Sequence, residues 1–200
     1  MRLASRRMWK VGDLLMTYKD ELTRVMTDIS KMPDTMFIGY NTRCGHRFNG
    51  TLNGVCEGRC LEMPVAENLI MGVAMGMSLE GCRPIACFER MDFLWACADA
   101  IVNHLDKAKQ LGWPPLNVVI RTCVGAAAPL DPGCQHCGDY VDAFRSLVVA
   151  PVVAIKRAEE IDKVWKDAMK HEGPIMIVEY RELYNKPILP TVSGKSDLIG

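Results

Sequence analysis

Residues Leu61 to Gly81 read LEMPVAENLIMGVAMGMSLEG, and from Leu69 to Met77 every position is apolar or glycine. A helix of this composition has no continuous polar face to give to water, so other parts of the protein or another chain must cover it nearly all round. Gly72 and Gly76 stand four apart on one side of such a helix, where the missing side chains admit a close neighbour. Pro64 suits the first helical turn, whose N–H groups have no intrahelical partner. A single acid, Glu67, sits just inside the start. The positive end of the helix dipole favours a carboxylate there, which is one reading of Glu67. Chemistry is the other.

The remaining sequence alternates strand-like and helix-like segments. Met36 to Tyr40, Ile85 to Phe88, Leu116 to Thr122, Val152 to Lys156 and Ile175 to Tyr180 are short apolar runs that predict strands. Tyr18 to Lys31, with Leu22, Val25, Met26 and Ile29 at helical spacing, predicts a helix, as do Asp92 to Leu111, Tyr140 to Ser146 and Ala158 to His171. This alternation implies an α/β fold: three layers, a mostly parallel sheet with right-handed crossovers, and helices on both faces. It forms one domain over residues 1–200, with its core at about 17–184. In such sheets ligands sit beyond the carboxyl ends of the strands. The loops beginning at Asn41, Glu89 and Val124 gather there. The polar, glycine-rich stretch from Asn41 to Glu62 is long for a connection, and loops of that length are usually functional or mobile.

Composition removes several classes of function. At 49% hydrophobic and 24% charged the chain is globular. A formal net charge of zero argues against nucleic acid as a partner, since phosphate binding needs an excess of Lys and Arg. No apolar run is long enough to span a membrane. The basic start MRLASRRMWK leads into an apolar part too short and interrupted for a signal peptide, so a cytoplasmic location is expected. Nine cysteines, an odd number in a chain of this size, read as reduced thiols. Cys44, His46, Cys56 and Cys60 form one Cys/His group, and Cys123, Cys134, His136 and Cys137 another. Either has enough soft ligands for tetrahedral zinc, but neither spacing is that of a finger or ribbon, and no metal site is assigned.

Four pieces in order, MPVAENLIMGVAMGMSLEGCRPI, MDF followed by DAIVNHLDKAK, NVVIRTCVG, and PGCQHCGDYVDAF, carry a family likeness over roughly Thr17 to Tyr184. The chain resembles the pyrimidine-binding domain of the thiamine-diphosphate-dependent transketolase superfamily. It is most similar to the beta subunit of the decarboxylating component of 2-oxo-acid dehydrogenases. The resemblance implies that Glu67 is the glutamate that hydrogen-bonds N1′ of the cofactor's aminopyrimidine, and that an apolar surround disfavours its charged form so that a proton can be shared. It places Phe93 against the pyrimidine and His136 at the substrate end, where it handles protons or a substrate oxygen. Plain core packing is the alternative for Phe93, and a solvated loop for His136. Arg90 stands where that family has an apolar residue; it binds a substrate carboxylate or phosphate, or is a simple exposed charge. His46 is a further substrate candidate on the polar loop.

Members of that superfamily anchor the diphosphate and magnesium through a separate domain with a G-D-G stretch. Here the Gly-Asp pairs, Gly12–Asp13 and Gly138–Asp139, are followed by Leu14 and Tyr140. The resemblance therefore implies half an active site, with thiamine diphosphate shared and Mg2+ held mainly by a second chain. The assembly expected is a heterotetramer or larger, acting on a small carbonyl substrate. Decarboxylation and acyl transfer from a 2-oxo acid is the expected reaction, and ketol transfer between sugars the alternative. A reading from another class is a non-catalytic flavodoxin-like interaction module with zinc in the Cys/His loop.

Overall fold

The structure, a computed structural model, describes residues 16–126 and 131–188. The basic start and the middle of the Val124 to Asp139 loop lie outside the described residues. Within them the five apolar runs and one further short segment, β2, become six parallel strands: β1 (Thr35–Gly39), β2 (Cys60–Glu62), β3 (Arg83–Phe88), β4 (Val119–Val124), β5 (Val152–Ile155) and β6 (Ile175–Tyr180). Their spatial order is β2-β1-β3-β4-β6-β5. Successive side chains of a strand point to opposite faces. Phe37, Ile85, Cys87, Val119 and Ile177 enter one core, while Ile38, Ala86, Phe88, Ile120, Met176 and Val178 enter the other. Both faces are covered, which is why the strands are apolar throughout instead of alternating.

The first core is closed by α1 (Tyr18–Ile29) and α4 (Ala158–Ala168), and the second by α2 (Glu67–Leu79), an irregular helix over 91–105 and α3 (Val141–Leu147). α1 begins with a capping box: the Asp20 N–H donates to Thr17 Oγ at 3.2 Å, and the Thr17 N–H donates back to the Asp20 carboxylate at 2.8 Å. The two helices of the first core are joined outside it by Arg24 and Asp162 at 2.8 Å. Such an exposed pair adds little beside the burial of Leu22, Met26, Ile161 and Trp165, each worth roughly 1.5–3 kcal/mol.

Four features refine or differ from the sequence expectation. Pro64 lies before α2, whose N-cap is Ala66. α2 buries only one side, through Ile70, Met71, Ala74 and Ser78. Its other side, with Leu69, Leu79 and both glycines, is exposed, and a Cβ built at Gly72 or Gly76 meets nothing within 4 Å. The segment expected as one α-helix from Asp92 is instead a 3-10 helix over Met91–Cys97 followed by a π-helix over Ala100–Leu105. Met91, Leu94 and Cys97 are the buried residues of the first part, and their spacing of three fits the three residues per turn of a 3-10 helix.

The fourth difference is the long polar loop, which is packed rather than loose. Phe48, Leu52 and Val55 are buried in the first core. At its start the Glu62 carboxylate, at the end of β2, accepts the backbone N–H groups of Asn41, Thr42, Arg43 and Cys44 at 2.6 to 3.2 Å. These bonds hold the Glu62 carboxyl below its ordinary pKa against the opposing effect of burial. In its middle, Arg47, Phe48, Asn49 and Gly50 all have positive φ, a left-handed turn that non-glycine residues adopt at a cost of about 1–2 kcal/mol each. Arg121 of β4 stabilises that turn from below. Its guanidinium stands 4.3 Å from the Phe48 ring centre and donates to Thr51 Oγ at 2.8 Å. Arg121 also bonds Glu179 of β6 twice, at 2.7 and 3.0 Å, with both side chains fully buried, and Tyr184 donates to the same carboxylate at 2.5 Å.

Candidate active site

All the strands run the same way, so the segments following β1, β2, β3, β4 and β6 meet at one end of the sheet. Glu67 is placed there as the first residue of α2, half-buried, at a helix start whose N-cap supplies no side-chain bond. Beside it, directly after β1, is Tyr40, only 7% exposed. Tyr40 packs at 6.4 Å from Phe93, and Phe93 makes a T-shaped contact at 5.1 Å with His136. The three rings form one wall. Two polar atoms in that wall, Tyr40 Oη and His136 Nδ1, are buried without a hydrogen-bond partner among the described residues. Native proteins seldom leave such atoms alone, because each costs about 1–3 kcal/mol.

Electrostatics ties Glu67 to this wall. Burial, and then the charges of Glu67 and Glu89, raise the Tyr40 phenol far above its ordinary pKa. Burial, and then Glu67, push the Cys97 thiol up to about 12. Both groups therefore stay protonated beside the carboxylate, and Cys97 is no nucleophile.

His136 is carried by a short 3-10 turn, Cys134–His136, and the chain after it is pinned. Asp92 Oδ1 accepts the Gly138 N–H and the Tyr140 hydroxyl, each at 3.3 Å, and Tyr180 donates to Asp139 at 2.9 Å. Burial and Asp139 raise the Tyr180 phenol to about 12. Arg90 follows β3 and is 6% exposed, with Nη1 donating to the Gly125 carbonyl after β4. It is thus an inward-facing cation and not a surface charge. His46 lies at the rim, with both nitrogens engaged: Nδ1 accepts the Asn49 N–H at 2.8 Å and Nε2 is 2.8 Å from Glu89. Glu89 Oε1 also accepts Asn41 Nδ2 at 2.8 Å.

The structure therefore puts Phe93 and His136 on one wall with Tyr40, places Glu67 beside Tyr40, and sets His46 and Arg90 at the strand ends. Sequence reasoning missed Tyr40, Glu62 and Glu89. Each directly ends or follows a parallel strand, a position that acquires meaning once the strands are seen to end together. Among the described residues no group of three or more His, Cys, Asp or Glu is arranged to hold a metal ion, and no helix is long and apolar enough to cross a membrane.

Comparison with known proteins bears on the family and the fold. The pyruvate dehydrogenase E1 component subunit beta of Chaetomium thermophilum is 29% identical over 137 residues, which are 68% of this chain and 35% of that protein. The same subunit of Saccharomyces cerevisiae is 26% identical over 181 residues, 86% of this chain and 48% of that protein. The acetoin:2,6-dichlorophenolindophenol oxidoreductase subunit beta of Cupriavidus necator is 29% identical over 128 residues, 63% of this chain and 37% of that one. The chain thus spans about a third to a half of the length of these relatives. A solved structure described as a split gene transketolase, inactive beta4 tetramer, superposes with a TM-score of 0.67 at 19% identity, covering 94% of this chain and 57% of that one. This likeness bears on the fold alone. The sequence model of the family described as transketolase, pyrimidine binding domain, matches residues 23–187, and the chain belongs to that family.

Proposed function

We propose that the chain is one subunit of a two-chain thiamine-diphosphate-dependent enzyme that cleaves or forms a carbon–carbon bond next to the carbonyl of a 2-oxo acid. The observation that carries the reading is the position of Glu67, a half-buried carboxylate at the strand ends, beside an aromatic wall with two orphaned polar atoms. An aminopyrimidine fits such a place, being a flat ring with hydrogen-bonding nitrogens on its rim. Bound thiamine diphosphate supplies the electron sink for breaking the bond beside the carbonyl. Glu67 holds and shares the proton at N1′, and Phe93 packs on the pyrimidine. His136 Nδ1 is free to hold a proton or a substrate oxygen. Arg90 offers its charge to the substrate carboxylate, and His46 shapes the rim, since neither of its nitrogens is free.

The magnesium of a bound diphosphate takes hard oxygen ligands, which the G-D-G domains of that superfamily supply. On this reading a second chain holds both. The isolated chain is then expected to bind thiamine diphosphate poorly in calorimetry, with tight magnesium-dependent binding appearing only when the diphosphate-domain chain is added. Tight binding by this chain alone would overturn the division of labour. The zinc-module alternative gains no support, because His46 is committed to Asn49 and Glu89.

The open side of α2 is the surface expected to meet the other chain. Gly76→Leu tests it cleanly: the added side chain has empty space around it in this chain, and replacing a mid-helix glycine favours the helix by about 0.5–1 kcal/mol. The variant should melt no lower than wild type but elute and scatter as separated subunits. An intact complex would show that α2 faces something else.

A further inference from the structure

Tyr40 is the best enclosed polar group in the site without a task. Its ring belongs to the same core as Ile70 and Met71, which lie one turn along α2 from Glu67, and it packs on Phe93. Its hydroxyl is buried with no partner of hydrogen-bond geometry among the described residues; the Glu89 backbone N–H acts on its oxygen and leaves the hydroxyl proton without an acceptor. Burial and the neighbouring carboxylates keep the phenol protonated, so it acts as a donor in need of an acceptor. Two carboxylates lie close enough for their charges to act on it, Glu67 and Glu89. Glu89 already accepts Asn41 and His46 on Oε1, at 2.8 Å each, whereas the Glu67 carboxylate accepts no hydrogen bond among the described residues.

Building on the reading of Glu67 given above, we propose that Tyr40 is a positioning residue for that carboxylate. Its O–H donates to one Glu67 oxygen in the loaded site and so leaves the other oxygen directed at the cofactor. Glu67 is half-buried at a helix start and its carboxylate is held by no other bond among the described residues, so the side chain is free to turn. One donor of this kind favours the charged carboxylate and fixes which oxygen shares the proton. The titratable groups around the pair are Glu89 after β3, Cys97 on the 3-10 helix and Cys123 in β4.

The test is Tyr40→Phe alongside Glu67→Gln, each in the complex with the diphosphate-domain chain. Exchange of the C2 proton of bound thiamine diphosphate is followed from pH 5 to 9, roughly the range in which a shared carboxyl proton is set by its surroundings. For Tyr40→Phe, exchange about tenfold slower near neutrality is expected, the loss of one charge-assisted hydrogen bond, with the pH profile moved to higher pH and the cofactor's affinity in calorimetry unchanged. The free chain should melt at or above the wild-type temperature, because the lost hydroxyl has no partner there. Wild-type rate and profile in Tyr40→Phe, while Glu67→Gln is slow, would remove Tyr40 and leave the role of Glu67 standing. Exchange in Glu67→Gln as fast as wild type would remove both. A clearly lowered melting temperature for free Tyr40→Phe would mark the hydroxyl as structural and overturn the proposal.

Discussion

Glu67→Gln should leave the domain folded and slow exchange of the C2 proton of bound thiamine diphosphate by about 10²–10⁴-fold, the range typical of a lost general acid–base. The shape is conserved and the side chain is half-exposed at a helix start, so the core is untouched. Removed is the ability of a carboxyl to take and return a proton. If Glu67 served only the helix dipole, the same change would cost roughly 0.3–1 kcal/mol of stability and leave exchange almost as it was. Quenched-flow NMR on the reconstituted complex separates the two results without overlap. Unchanged exchange would take away the main support for an enzymatic role.

A second large effect is expected far from any ligand. Arg121→Met leaves the Glu179 carboxylate fully buried without its cation, and breaking such a pair costs about 3–5 kcal/mol. For a chain of this size the melting temperature should fall by roughly 6–20 °C. Arg121 also holds Phe48 and Thr51, so the Asn41 to Val55 loop should loosen, and trypsin should cut at Arg43 or Arg47 in the variant well before it does in wild type. The double change Arg121→Met with Glu179→Leu removes both charges and should recover most of the lost stability while the loop stays sensitive. A single variant that melts within a degree or two of wild type would show that the pair does not hold the fold.

Five of the six strands were legible because each is an apolar run buried on both faces. β2 was not: three residues, Cys-Leu-Glu, carry no periodicity, and they become a strand only because β1 lies alongside. The pairing of Arg121 with Glu179 was hidden for a related reason. Each charge interrupts an apolar run, but they meet only because β4 and β6 are neighbours, and spatial order is a tertiary fact. At the site, Glu67, Phe93 and His136 were singled out through resemblance to a family, and of these the fold brings Phe93 and His136 into contact. Tyr40 and Glu89 were missed because a residue following a strand looks like any other loop residue until the strands are seen to end together.

The sheet finishes on both flanks with its shortest members, β2 with three residues and β5 with four. Unpaired backbone along an outer strand is a template for recruiting more chains, and the length of the template sets how well a recruit is held. Here each flank offers only a few peptide groups, too few for an added strand of ordinary length to register on. Open-ended growth into fibrils is therefore disfavoured by construction. The apolar surface left uncovered along α2, at Leu69 and Leu79, is instead the rounded side of a helix, which one neighbour can fill and close.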